Sequence, residues 1–280
     1  MGTGNWVLDN LLRALEIWSE KLREVMEIIT FSPDEFKGGT IWKVVTGIHD
    51  GLKGIALGLL TVFFLMGVLK ETADFRELKR PEQAFRLFIR FGIGKALVTY
   101  SMDILKAIYT VIHGITMRIA ENGGGLVTGG VTLPDAIRQK ILECGFLESI
   151  PLWIVTLLSS LIVTVLSYTV ILTVYSRFFT VYMYTAIAPV PLSAFSGEGT
   201  RHIGVQFLKS YGAVCLESAV IMTACIIYSA FASSPPADID PSLSAVQAVW
   251  NYMGELIFNL LILTGSVRMS ERLIKEMTGL

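Results

Sequence analysis

Long uncharged runs separated by short charged links dominate the chain. Ser149 to Ser176 is 28 residues without a charge, and a bilayer core takes about 20 helical residues. Ser210 to Ala237 is a second such run, interrupted only by Glu217. Between them Pro189 and Pro191 stop a helix, since each lacks an N–H and restricts the residue before it. Ser196-Gly197-Glu198-Gly199-Thr200 then turns the chain and caps the next helix. The pattern predicts a helical hairpin over 177–209 with a cytoplasmic tip. Arg177 ends the uncharged run on the cytoplasmic side, with its guanidinium reaching water or a carboxylate.

Three further spans are expected, giving about five: 42–69, 84–118, 150–187, 203–232 and 243–268. In the first, Gly47, Gly51, Gly54 and Gly58 share one helix face, and small residues let another helix approach closely. His49, Asp50 and Lys53 make its first half polar. The second is wet: Lys95, Lys106 and His113 align on one side, and Asp103 lies within pairing reach of Lys106. Charges in a span face a bundle interior or a water-filled path, unless this helix is only partly in lipid. The third span has a hydroxyl stripe, Thr156, Ser160, Thr164 and Ser167, suited to helix packing or to a pore lining. The fourth holds Glu217 as its lone acid. In the fifth, Gln247, Asn251, Glu255 and Asn259 recur every four residues, a stripe that either bonds other helices or faces water.

Residues 1–40 differ in pattern. Over 4–30, Trp6, Leu11, Leu15, Trp18, Leu22, Val25 and Ile29 recur three or four apart, while Arg13, Glu16, Glu20, Lys21, Arg23, Glu24 and Glu27 take the other side. Such a helix lies in the membrane interface or packs on a partner. Residues 41–280 form the helical membrane domain. Of the links, 70–90 is basic, with Lys70, Arg76, Lys79, Arg80, Arg86 and Arg90 among phenylalanines. A positive-inside loop accounts for it; nucleic-acid contact is the other option. Glu121 to Gly130 is glycine-rich but lacks the Lys-Ser/Thr ending of a phosphate loop. A short amphipathic helix follows, Leu133 to Phe146.

Composition agrees with a membrane protein: 52% of the 280 residues are hydrophobic and 17% charged, with a mean hydropathy of +0.59, against about 25% charged in a soluble domain. Three cysteines, two of them in one apolar run, make no disulfide framework. There is no HExxH, P-loop, GxSxG or cysteine pair at zinc spacing, so nothing assembles a nucleophile, base and oxyanion donor. No enzyme and no cofactor are expected. The basic link at 70–90, the link at 233–242 without Lys or Arg, and a tail with Arg268, Arg272 and Lys275 place the N-terminus outside and the C-terminus inside. Arg13, Lys21, Arg23, Lys37 and Lys43 fit that orientation poorly.

Val174-Tyr175-Ser176-Arg177-Phe178-Phe179, then Thr185 to Phe195 (TAIAPVPLSAF) and Gly204 to Lys209 (GVQFLK), form a segment that resembles the TrbL-type polytopic subunit of conjugative type IV secretion systems. The resemblance covers roughly residues 145–232. It implies a bacterial inner-membrane channel or scaffold subunit beside other secretion subunits, including an assembly ATPase, in contact with lipid and with translocating DNA or protein. The short outer loop and missing long C-terminal region depart from some relatives. A homo-oligomer is expected, because one five-span protomer is too small to enclose a wide conduit. The hairpin of Pro189 and Pro191 would dock the ATPase. A small-solute carrier, which usually shows inverted repeats, and a non-conducting scaffold are the competing classes.

The orientation predicts the outcome of labelling with a membrane-impermeant thiol reagent. In intact cells a cysteine replacing Pro236 should react and one replacing Lys79 should not; the opposite pattern inverts the topology.

Overall fold

The computed structural model describes residues 5–73, 81–123, 133–232 and 243–280, and every regular element there is helical. Arg76, Lys79 and Arg80 of the basic link, most of the glycine-rich stretch, and Pro235, Pro236, Asp238 and Asp240 lie outside the described residues. The helices are α1 (Trp6–Thr30), α2 (Thr40–Ala73), α3 (Pro81–Thr99), α4 (Ser101–Asn122), α5 (Asp135–Leu142), α6 (Phe146–Ile187), α7 (Pro189–Ser193), α8 (Arg201–Ala232) and α9 (Ala245–Thr278). Short 3-10 turns at Phe36–Gly39 and Ala194–Ser196 precede α2 and follow α7.

The protein is all-α and polytopic, as its runs predict, but among the described residues four helices, not five, are long and apolar enough to cross a membrane. These are Phe36–Leu69, Ile150–Ile187, Arg201–Phe231 and Ala245–Thr278. The expected span over 84–118 is divided into α3 and α4 at Tyr100. The helical hydrogen-bond ladder carries across the junction, from Tyr100 N–H to Ala96 and from Ile104 N–H to Tyr100.

The chain forms two compact units, which cut across the expected boundary at residue 40. One comprises 1–30, 116–175 and 219–270; the other comprises 31–115, 176–218 and 271–280.

In the first unit, Asn5 starts α1 by accepting from the N–H groups of Val7 and Leu8 at 3.1 and 3.4 Å, the bond an N-cap side chain supplies to orphan donors. The apolar stripe of α1, from Val7 through Leu11, Leu15, Trp18, Leu22 and Val25 to Ile29, is buried. Trp6 packs on Trp153 at 5.3 Å and Trp18 meets Tyr228 edge-on at 5.9 Å. The expectation of an interfacial helix with this face in lipid is therefore corrected: the chain's own α6 and α8 cover it. On α6, Thr156, Ser160, Thr164 and Ser167 each donate to a carbonyl three or four residues back. Hydroxyls bonded this way are satisfied within their own helix, and Thr156 and Ser167 are buried, as helix packing requires. Gln247 also has a local task. It accepts from the backbone N–H and hydroxyl of Ser244, while its own N–H donates to that hydroxyl. That is a capping box at the start of α9.

In the second unit, α2, α3 and α7 pack on one another around Ala56, Leu60, Val98, Leu105, Val181, Ala188, Leu192 and Tyr211. Lipid tails are as apolar as these side chains, so close packing and interhelical hydrogen bonds, rather than exclusion of water, hold such helices together. Residues 186–196 supply the small side chains this needs. The hydroxyl of Ser196 donates to the carbonyl of Leu60 at 2.8 Å. Opposite it, a Cβ at Gly94 would lie 3.2 Å from Leu60 Cδ1 and from Ser196. A Cβ at Gly197 would meet the carbonyl oxygen of Phe63 at 2.9 Å.

Overpacking such contacts costs about 1–3 kcal/mol. Gly94→Leu and Gly197→Val should each lower membrane levels and melting temperature, and reduce unfolding stability in detergent by an amount in that range. Gly54→Leu should leave all three unchanged, since none of the described residues lies within 4 Å of a Cβ there.

Candidate functional site

The second unit contains a charge where few are expected. Arg177 lies within α6, ten residues before its last residue Ile187, and is only 3% exposed. Among the described residues its Nε and Nη1 have no hydrogen-bond partner, and its guanidinium carbon is 5.4 Å from the centroid of the Phe178 ring. The Tyr109 hydroxyl, the Cys215 thiol and the Glu217 carboxyl act on it electrostatically. Glu217 is itself buried on α8.

An aromatic shell surrounds this charge. Phe178 stacks on Phe36 at 4.9 Å and is tilted against Tyr182 at 6.3 Å. The Tyr109 ring stacks on His113 at 5.5 Å. Two hydroxyls tie the connector between α1 and α2 to this shell: Tyr109 donates to the carbonyl of Phe31 at 3.2 Å and Tyr182 to that of Pro33 at 2.9 Å. Nearby in the same unit, fully buried His49 joins α2 to the start of α4 through Ser101, with Nε2 2.8 Å from Oγ. Ser101 donates to the carbonyl of Val98 and is free to accept from the imidazole. This arrangement is suited to fixing helices around one charge, not to covalent chemistry.

The structure relocates several residues singled out by sequence. Arg177 does not reach water at the end of a hairpin; it is enclosed, because α6 continues for nearly three turns beyond it. Pro189 opens α7 at its first position, where a missing N–H is harmless, and the segment from Ala188 to Ser196 is mostly buried. The expected rigid tip is thus folded into the core. Glu198 and Gly199 stay exposed at the turn, and Glu198 pairs with Arg90 of α3 at 3.1 Å.

The wet stripe divides. Lys95, Asp103 and Lys106 are exposed and His113 is half-buried. Lys106 covers the Trp42 ring at 5.4 Å. Gln247, Asn251 and Glu255 are exposed and Asn259 is intermediate. Gly47, Gly51, Gly54 and Gly58 are exposed with open space at each Cβ position, so no helix among the described residues packs on them. Sequence reasoning did not connect Arg177 with Glu217, 40 positions away on another helix. The only signal was that each is the lone charge in its apolar surroundings.

Four membrane-capable helices among the described residues define an integral multi-pass membrane protein. The chain belongs to the family described as TrbL/VirB6 plasmid conjugal transfer like protein, whose profile matches residues 19–189. It is thereby a membrane subunit of the conjugal-transfer class, at the inner membrane and in the company of other secretion-system subunits. The match takes in the second half of α1 and all of α2 to α6, overlapping the 145–232 stretch that carries the resemblance and reaching well upstream of it. It stops at Pro189. No curated protein and no solved structure matches the chain.

Removing one member of a buried charge group leaves the other uncompensated, at a cost of about 3–5 kcal/mol. Glu217→Leu alone and Arg177→Met alone should each lower thermal stability in detergent by an amount on that scale. The double variant should recover much of the loss. Additive losses would show that the two side chains do not communicate.

Proposed function

We propose that this protein is an oligomeric channel or scaffold subunit of a conjugative type IV secretion machine, and that it engages a cytoplasmic assembly ATPase. Family membership carries the proposal. The orientation is N-terminus outside and C-terminus inside. The link at 233–242, without Lys or Arg, and the basic tail support it.

Self-association draws on α2. Its glycine face is open, and only 11% of its most apolar window is buried within the chain, against 33–44% for the other three candidate spans. Small residues on an exposed helix face are the usual means by which membrane helices meet closely. A second copy of the chain presents a matching face. The ATPase dock belongs at the turn after α7, where Glu198 and Gly199 are exposed, together with exposed Arg201 and His202 at the start of α8. Buried Pro189 and half-buried Pro191 serve the fold rather than the dock. A carrier remains disfavoured, because the chain shows no paired inverted repeats.

Two variants test the two halves separately. Gly54→Leu should keep normal membrane levels yet abolish crosslinking between copies and lower transfer frequency, about tenfold for each 1.4 kcal/mol of association lost. Arg201→Ala with His202→Ala should keep membrane levels and self-crosslinking while losing capture of the ATPase. Normal transfer in either variant removes the corresponding half of the proposal.

A further inference from the structure

The outer face of α1 carries Arg13, Glu16, Glu20, Arg23 and Glu27, all exposed. They fall three or four residues apart, forming one strip about 21 Å long at 1.5 Å rise per residue. Three contacts fix what the strip runs beside. Trp6 packs on Trp153 at 5.3 Å, Lys21 Nζ lies 5.6 Å from the Tyr168 ring centroid, and the Tyr175 hydroxyl donates to Glu24 at 3.4 Å. The partners advance together along both helices, so α1 runs parallel to α6 over residues 153–175.

That part of α6 lies in the 28-residue uncharged run. Its remaining surface is apolar and open: Leu157, Leu161, Val165 and Leu172 are 46–65% exposed. In the same unit α8 and α9 expose Ile227, Trp250, Phe258 and Leu261. Apolar surface of this extent is not left in water by a stable protein. In a chain of this family it faces lipid, which brings this unit, and α1 with it, to the depth of the hydrocarbon.

Charges at that depth are tolerated toward a bundle interior or toward water. The side of α1 that faces its own protomer is the buried apolar stripe, so the charged strip points away from the protomer. We propose that the charged face of α1 lines a water-filled passage closed by further copies of this chain, while the exposed faces of α6, α8 and α9 meet lipid. This deepens the reading of the protein as an oligomeric transfer subunit and decides between lining and scaffolding. Mixed signs along the strip wet the wall without presenting the continuous basic surface that would retain a polyanion.

Thiol reactivity in native membranes tests it. Cys215 and Cys225 are buried, so a Cys144→Ser background leaves no accessible thiol among the native cysteines. Single variants Glu20→Cys, Arg23→Cys, Leu161→Cys and Phe258→Cys of the full chain are exposed to a charged, impermeant maleimide, in intact cells and in inverted vesicles. A thiol in lipid ionises poorly, and one unit of pKa is tenfold in thiolate, so the two α1 positions should react at least about tenfold faster than the two apolar ones. All four should label after denaturation, which confirms their presence. Equal fast labelling of all four places this unit outside the bilayer and overturns the proposal. No labelling at Glu20 and Arg23 shows a dry, covered face and overturns it equally. Either failure leaves self-crosslinking and ATPase capture as separate readouts of the broader function.

Discussion

A helix interrupted inside an apolar surrounding must satisfy its freed backbone groups from the chain itself, because lipid offers neither donors nor acceptors. Ala188 is such an interruption, between α6 and α7. The residues after it add hydrogen bonds from short side chains. Ser193 donates to the carbonyl of Val190, Ser196 to those of Leu60 and Ser193, and Thr200 to that of Ala194. One of these acceptors belongs to α2, so the segment after the break also docks a span. Close approach at Gly94 and Gly197 follows from the same contact.

Charge is handled in two ways. Exposed pairs are neutralised locally, as in Lys21–Glu24, Lys53–Asp50, Arg272–Glu276 and Lys275–Glu271. Pairs of this kind contribute about 0–1 kcal/mol each and serve chiefly to limit net charge on a helix. Arg177 is managed differently, by an aromatic face and by polar groups from α4 and α8. A buried group of this type is weak evidence for stability but costly to disrupt, so it constrains which helices stay together. The same hydroxyls and rings hold the connector at residues 31–36, and through it the start of α2.

Family membership and structure agree on what kind of protein this is and divide over where its working surfaces lie. The matched range reaches from residue 19 in α1 to Pro189 at the start of α7. It includes the second half of the charged face of α1, the open glycine face of α2 and the buried guanidinium. The fixed part of the molecule is the interior around 188–196, and its outward faces are the glycines of α2 and the charged strip of α1. A secretion subunit needs that combination, since it must keep one shape while meeting lipid and other subunits.

The sequence by itself determined the class. Uncharged runs of bilayer length, low charge content and absent catalytic motifs required helices in a membrane, because in lipid only a helix or a closed barrel satisfies its backbone. The stop at Ala188–Pro189, the amphipathic α1 and the TAIAPVPLSAF segment were legible for the same local reason. Tertiary structure alone decided which face of each helix is covered. Periodicity marks the apolar stripe of α1 but is silent on whether lipid or protein meets it; Trp153 and Tyr228 supply that answer. It marks the glycines of α2 as one face, yet the face that packs is the one bearing Val45, His49, Ala56 and Leu60. Arg177 reads as a helix-end anchor when seen along the chain, and as a buried charge once α4 and α8 are brought beside it. In an apolar helix every face is chemically similar, so the choice of face depends on partners distant in sequence.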